Sequence, residues 1–331
     1  MTPPISSSAG ATCMVCGRTA IARSIFGGYR FLGRQYYRLR CEHCGFIFVH
    51  PVPDASAFAA MYTDDYFAQY YGGGDDVGYE ASASAAVTRA DAILERVACH
   101  VAAGLLLDIG CAGGYFLAAA KRRGYGCLGI EPNARMAEHA RSTFGLEVLD
   151  GSFESAAIES SGRRFDVIYM GDSLEHLPDP RRALERVRQV LAPNGVFVLN
   201  GPLTLNRSLF TAVLRVKLLL GKGRSEWYVD GPPHHLWEWN AATLRRFLAG
   251  NGFDVAEFAT SEEPARPTQV LSDVLKRPLT FAETSALALK DVSAWCTNTF
   301  CRGFQWGYRV VAISRLGANR AVRQSSDAGA A

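Results

Sequence analysis

The chain has 331 residues, 48% of them hydrophobic, and a formal net charge of +3. That length suits two modest domains or one elaborated domain with a sizeable core, and so mild a charge does not by itself call for a nucleic-acid or anionic-membrane partner. No apolar run reaches the about 18 residues of a membrane-spanning helix, and the opening MTPPISSSAGATC lacks the basic and apolar regions of a signal peptide, so a cytoplasmic chain is expected.

Residues 1–10, rich in Ser and Pro, and the tail 317–331 (GANRAVRQSSDAGAA) are expected to be disordered. Residues 11–50 carry two CxxC pairs, Cys13/Cys16 and Cys41/Cys44, among short β-like runs (YYRLR, FIFVH). The chain has nine cysteines, an odd number, and in a reducing compartment paired CxxC motifs point to metal rather than disulfides. Four thiolates favour tetrahedral zinc in a closed, structural site. Gly17 and Gly45 each follow the second cysteine of a pair, where a knuckle turn takes positive φ. Redox dithiols are the rival reading, and two matched pairs in one short segment argue against them. The remaining five cysteines (Cys99, Cys111, Cys127, Cys296, Cys301) read as small buried residues. This expected zinc ribbon is basic, with Arg18, Arg23, Arg30, Arg34, Arg38 and Arg40 among Tyr29, Tyr36 and Tyr37. That pattern suits an RNA platform, recognition of a phosphorylated or nucleotide-linked small molecule, or simply a solvated face.

Residues 51–80, including the tyrosine-rich MYTDDYFAQYYGGGDDVG, read as a connector with a mobile segment that can close over a site. From 81 to 201 helices and strands alternate. A helix over 81–103 is followed by strands at 105–109, 126–130, 146–149, 165–170 and 195–200, with helices at 113–123, 134–144 and 180–191. Continuous apolar strands such as LLLDI and GVFVLN, alternating with helices, predict an α/β fold with a mostly parallel sheet covered on both faces. An insert at about 204–240 follows. It holds the basic, amphipathic LNRSLFTAVLRVKLLLGKGR (205–224), read as a lid or as a contact with a membrane face or lipid-linked substrate, and then PPHHLWEWN. A helix over 241–250, a strand over 253–259, a mostly helical segment and a last strand, YRVVAIS, complete the order.

In an open parallel sheet ligands bind at the carboxyl ends of the strands. Asp108 ends the first of these strands, Gly110, Gly113 and Gly114 permit a tight turn, and Glu131 ends the second strand, where a carboxylate can accept from a ribose diol. The dinucleotide pattern G-x-G-x-x-G fails at its third position, which is Tyr115. The pattern D-x-G-x-[GA]-x-G fits better, through Asp108, Gly110, Ala112 and Gly114, and it resembles the first motif of class I S-adenosylmethionine-dependent methyltransferases, where glycine usually stands at the Ala112 position. The stretch FDVIYMGDSLEHLPDPRRALERVRQVLAPNGVFVLNGP (165–202) resembles that family's fourth strand, following loop, helix and fifth strand, and VLDGSFES its third strand and adenine-side loop.

The resemblance covers about residues 11–260, in the order of CxxC ribbon, methyltransferase domain and PPHHLW…TLRRFL…GF, an order similar to bacterial small-molecule methyltransferases with an N-terminal ribbon. It implies a seven-stranded, doubly wound Rossmann-like domain over 81–316. S-adenosylmethionine would be held by Asp108, Gly110, Ala112, Gly114 and Asp172, by Glu131 on the ribose, and by Ser152 and Phe153 (with Asp150 as an alternative) at the adenine. Methyl transfer is an in-line displacement in which the protein aligns the reactants and, for a hydroxyl, supplies a base. His234 and His235 are the first candidates for that base or for a substrate contact, and His176 is a third, with loop-fixing as its alternative role. Trp227, Trp237 and Trp239 form a sugar-stacking wall or part of the core. The preferred acceptor is a hydroxyl of a saccharide, glycan or natural-product intermediate. The rivals are an RNA methyltransferase, a non-catalytic nucleoside-binding scaffold, and a nicotinamide oxidoreductase, the last disfavoured by Tyr115.

Overall fold

The structure is a computed structural model, and it describes residues 11–61, 76–155, 158, 162–208, 212, 228–262, 281–300 and 305–317. Most of the tyrosine-rich connector, nearly all of the 205–224 helix, Trp227, Cys301, residues 1–10 and the tail beyond Gly317 lie outside the described residues; Gly317 itself, expected to be disordered, is held by its N–H donating to the Gly252 carbonyl. In chain order the elements are β1 (Ile21–Phe31), β2 (Arg34–Cys41), β3 (Ile47–His50), α1 (Ala55–Met61), α2 (Asp76–Ala98), β4 (Leu105–Ile109), α3 (Tyr115–Arg122), β5 (Gly126–Glu131), α4 (Ala134–Phe144), β6 (Glu147–Asp150) and β7 (Phe165–Gly171). They continue with α5 (Pro180–Val190), β8 (Leu191–Pro202), β9 (Tyr228–Asp230), β10 (Trp237–Glu238), α6 (Ala241–Gly250), β11 (Phe253–Ser261), α7 (Phe281–Phe300) and β12 (Arg309–Leu316).

The large sheet has seven strands in the order β11-β12-β8-β7-β4-β5-β6. Strands β4 to β8 run parallel, and β12 lies antiparallel between β8 and β11. The apolar strands explain this arrangement. Along β4, Leu106 packs into one buried cluster while Leu107 and Ile109 pack into the other, and Val167 and Ile168 divide the same way on β7. A strand buried on both faces needs helices on both sides, and three of these helices begin at a side-chain cap. Asn133 accepts from the Met136 N–H to start α4, Asp179 accepts from Arg181 and Arg182 to start α5, and Asn240 and Thr243 form a capping box at α6. The expected order of strands and helices is the observed one, with shifted ends. The first helix runs Asp76–Ala98 rather than 81–103, α3 begins at Tyr115 because residues 110–114 form the turn, and β8 starts at Leu191 rather than 195.

The N-terminal residues form a five-stranded sheet, β10-β3-β2-β1-β9. Its outer strands come from far along the chain. β9 pairs in parallel with β1 through Gly28↔Tyr228, and β10 pairs antiparallel with β3 through Trp237↔Phe48. The ribbon sheet is therefore completed at both edges by the segment that carries His234 and His235. Phe46, stacked on Phe48 and in contact with Trp237 and Trp239, anchors this joint. Both tryptophans are thus core residues; the Trp237 indole N–H donates to the Leu177 carbonyl at 2.7 Å.

Candidate active site and cysteine centre

Strand order reverses beside β4: the chain steps outward through β5 and β6, then returns to β7 on the other side. Ligands of such sheets bind in the crevice at the strand carboxyl ends where the order reverses. The Asp108 turn and the loop after β7 flank that crevice.

Asp108 is 2% exposed, and its Oδ1 is buried with no hydrogen-bond partner. Burial and then the neighbouring Glu131 push its carboxyl well above the usual range. Glu131 is buried as well, and burial raises it against the pull of two backbone donors. Its Oε2 accepts from the Ala112 N–H and its Oε1 from the Asn133 N–H, each at 2.8 Å. Two poorly solvated carboxylates beside one turn make a receptor for a cation that brings its own donors. The ammonium of S-adenosylmethionine has that character, and each Glu131 oxygen keeps a second lone pair for a ribose hydroxyl.

The turn is built for close approach. Gly110 has φ 75°, and a Cβ there would lie 2.7 Å from Ser173 Oγ, which donates to the Ile109 and Gly171 carbonyls. A Cβ at Gly114 (φ 83°) would meet Ala140 Cβ at 2.7 Å and Leu146 Cδ1 at 2.8 Å. Gly114 thus permits a tight contact between the start of α3 and both α4 and the residue just before β6. Tyr115 is released to pack edge-on against Phe144 at 5.3 Å. Ala112 holds φ 45°, a left-handed conformation that costs a residue with a Cβ roughly 1–2 kcal/mol.

The other expected cofactor residues are placed less simply. Ser152 lies half-buried, its Oγ 3.3 Å from Ser155 Oγ. Phe153 is buried, with the Arg186 guanidinium 4.8 Å from its ring centroid. Asp150 is paired with Arg141 at 2.6 Å. Asp172, at φ 49°, is gripped by both terminal nitrogens of Arg309, one of them at 2.9 Å, and that second nitrogen also donates to Asn200 Oδ1 at 3.2 Å. Partial burial is outweighed by Arg309, and the half-exposed Asp172 carboxyl is held below its ordinary value. Arg309 lies 137 residues away, on the last strand, and carried no local signal in the sequence.

The three candidate histidines form one group. His176 Nδ1 donates to the His234 carbonyl at 2.7 Å, and the His176 and His235 rings meet edge to face with centroids 5.0 Å apart. Glu175, 2% exposed, joins them, with its Oε1 3.9 Å from His176 Nε2. Sequence reasoning passed over Glu175, although it stands beside His176 in EHLPDP. Burial drives the histidines toward the neutral form, lowering His176 and bringing His234 and His235 down to about 4, while it raises Glu175 to about 7. The Leu236 N–H donates to the Glu175 carbonyl at 2.8 Å, tying the two loops together.

The four expected cysteines also converge. Cys13 Sγ lies 3.6 Å from Cys44 Sγ, and Cys16 Sγ 3.6 Å from Cys41 Sγ. Four sulfurs at about 2.3 Å from a tetrahedral zinc would be about 3.8 Å apart, so the set fits that ion. Gly17 and Gly45 take φ 72° and 78°, as knuckle turns require. Burial raises the Cys13 thiol and brings Cys44 up to about 11, whereas at Cys41 burial is outweighed by the Cys44 N–H and further hydrogen bonds, which bring the thiol down to about 7.

The sequence profile of a methyltransferase domain matches residues 83–257, more than half of the chain. The chain belongs to the methyltransferase-domain family. Its domain is of the class I S-adenosylmethionine-dependent kind, an α/β fold with a seven-stranded, mainly parallel sheet. Among relatives, a ubiquinone biosynthesis O-methyltransferase of Azorhizobium caulinodans is 27% identical over 161 residues, 46% of this chain and 60% of that protein. One of the same name from Caulobacter sp. is 31% identical over 159 residues, 45% and 59% of the two chains. The chain thus spans about 60% of the length of these relatives. Among solved structures, magnesium protoporphyrin IX methyltransferase from Synechocystis with bound SAH aligns over 80% of this chain and 100% of its own, at 14% identity and TM-score 0.48. The cyclopropane synthase MmaA2 from Mycobacterium tuberculosis aligns over 80% and 99%, at 17% identity and TM-score 0.48. Among the described residues no helix is long and apolar enough to cross a membrane.

Proposed function

We propose that this methyltransferase domain transfers a methyl group from S-adenosylmethionine to a hydroxyl of a small molecule, a saccharide, glycan or natural-product intermediate. The observation that carries the reading is the Glu175–His176–His235 group, which lies after β7, across the order reversal from the Asp108 turn. A hydroxyl must lose its proton as it is methylated, and half-buried neutral imidazoles can take one. Asp108, the 110–114 turn and Glu131 hold the cofactor, which supplies an activated methyl on a sulfonium. His234 and His235 share the acceptor side. One of them takes the hydroxyl proton, and the Glu175 carboxylate beside His235 favours the imidazolium formed. The products are a methyl ether and the neutral thioether S-adenosylhomocysteine. The O-methyltransferase names of the relatives agree with oxygen as the acceptor.

The cysteine set is proposed to hold one structural zinc. Ribbon cations are partly neutralised: Arg34 pairs with Asp54, Arg38 with Glu238 at 2.9 Å, and Arg30 with Asp230 at 4.0 Å. This pairing favours a small acceptor over an RNA backbone. Incubation of the zinc-loaded protein with methyl-labelled S-adenosylmethionine and a fractionated extract of its source cell tests the reading. Ribonuclease-resistant label in a small-molecule or glycan fraction is expected. Label lost to ribonuclease would replace this acceptor class with RNA.

A further inference from the structure

We propose that Glu175, His176 and His235 form a second metal site, for a divalent first-row transition ion such as zinc, manganese or iron(II), separate from the cysteine centre. One ligand atom from each of the three lies within 4.8 Å of the others. An ion bound at about 2.1 Å to nitrogen and oxygen needs donors about 3.0–3.4 Å apart, so the widest pair needs to close by no more than about 1.4–1.8 Å. The 3.9 Å between Glu175 Oε1 and His176 Nε2 is already near that spacing.

Two independent observations point to a ligand here. Glu175 is 2% exposed, yet its Oε1 is buried without a hydrogen-bond partner, an arrangement that costs stability until something positive meets it. His176 donates its Nδ1–H to a backbone carbonyl, that of His234, at 2.7 Å. That bond fixes the tautomer with Nε2 unprotonated; metal-bound histidines are oriented in the same way, through a hydrogen bond from the other ring nitrogen. Two imidazoles and one carboxylate suit a borderline ion rather than calcium or magnesium, and three protein ligands leave coordination positions open, unlike the closed four-thiolate set. With the ion bound, His235 is a ligand and His234, outside the ligand set, is left to take the proton of a hydroxyl held on the ion; that role rests on the proposed hydroxyl acceptor, whereas binding of the ion does not.

Cobalt(II) titration of the full-length, metal-stripped protein separates the two sites. The first equivalent should show intense thiolate-to-cobalt charge transfer. A second equivalent is expected with ligand-field bands alone, and it should be lost in Glu175→Gln and His235→Asn, both of which should keep the thiolate signal as proof of fold. Elemental analysis after zinc loading should then give two ions per chain for the parent and one for each variant. A single equivalent in the parent, or a second that persists in both variants, would overturn the site. Methyl transfer to hydroxylated acceptors is measured on the same samples. Two ions bound without any such transfer would leave the site standing and remove the hydroxyl reading alone.

Discussion

Replacing Asp108 by Asn should move stability and cofactor affinity in opposite directions. In the ligand-free protein the Asp108 carboxyl is buried, Oδ1 has no partner, and Glu131 adds a like charge. A group whose folded pKa is raised contributes stability that is fully present below its unfolded value, about 4, and is lost as pH rises through the folded value. The wild type should therefore lose stability on going from pH 5 to pH 8 through this residue, and Asp108→Asn should lose less. Its melting temperature should exceed that of the wild type by more at pH 8 than at pH 5. With S-adenosylmethionine the carboxylate gains a cationic donor, and a charge-assisted hydrogen bond is worth about 1.5–3 kcal/mol. Losing it should weaken binding about 10- to 150-fold. Differential scanning fluorimetry at the two pH values and calorimetric titration of the cofactor give both numbers. A variant that binds within twofold of wild type, or that melts lower at pH 8 without ligand, would refute the assignment of Asp108 as an uncompensated acid awaiting a cation.

Glu131→Ala removes the acceptor of two backbone N–H groups as well as the ribose contact, so cofactor affinity should fall by at least ~1.5 kcal/mol and the ligand-free melting temperature should fall too; unchanged calorimetric affinity would take Glu131 out of the site. Ala112→Gly relieves a left-handed alanine at roughly 1–2 kcal/mol and incurs about 0.5–1 kcal/mol of chain entropy. Urea unfolding should show a gain of up to about 1.5 kcal/mol, and a loss would mean the turn is not strained. Chelation should release one zinc per chain from the cysteine centre and lower the melting temperature; an unaltered melting curve in metal-free protein counts against a structural ion. His234→Ala and His235→Ala, assayed separately for turnover with saturating cofactor, should include one with a loss of at least about 10²-fold. Full turnover in both would leave neither as the base.

The parts of the fold legible in the sequence are those governed by local pattern. Doubly buried strands such as LLLDI and FDVIYM are apolar but for one aspartate each, and the sharp starts of α4, α5 and α6 follow from Asn133, Asp179 and Asn240. The glycine turn was legible because positive φ leaves a residue-type signature at Gly110 and Gly114. The cysteine centre was legible from spacing. The pairing of Asp172 with Arg309 was not, because nothing near either residue marks a contact made through β12 inserting beside β8. Nor was the partnership of Glu175 with His235, which depends on where a loop 60 residues later crosses the strand ends.

That crossing also explains why a ribbon and a methyltransferase domain share one chain. β9 and β10 occupy opposite edges of the ribbon sheet, with three strands between them. A flat sheet of that width needs about 19 Å from edge to edge, while seven residue steps from Asp230 to Trp237 reach at most about 25 Å. The segment has little slack, and hydrogen bonds remove more of it. The Gly231 N–H donates to Arg30, the Leu236 carbonyl accepts from Val49, and the Leu236 N–H donates to Glu175. His234 and His235 are therefore positioned from two sides, by the ribbon strands at the ends of the segment and by the loop after β7 at its middle. Cys41 closes β2, the middle strand of this sheet, and its neighbour β3 starts three residues after Cys44. Whatever holds the four cysteines together thus holds the framework across which the histidine loop is strung, so a zinc remote from the reacting atoms would still govern their alignment.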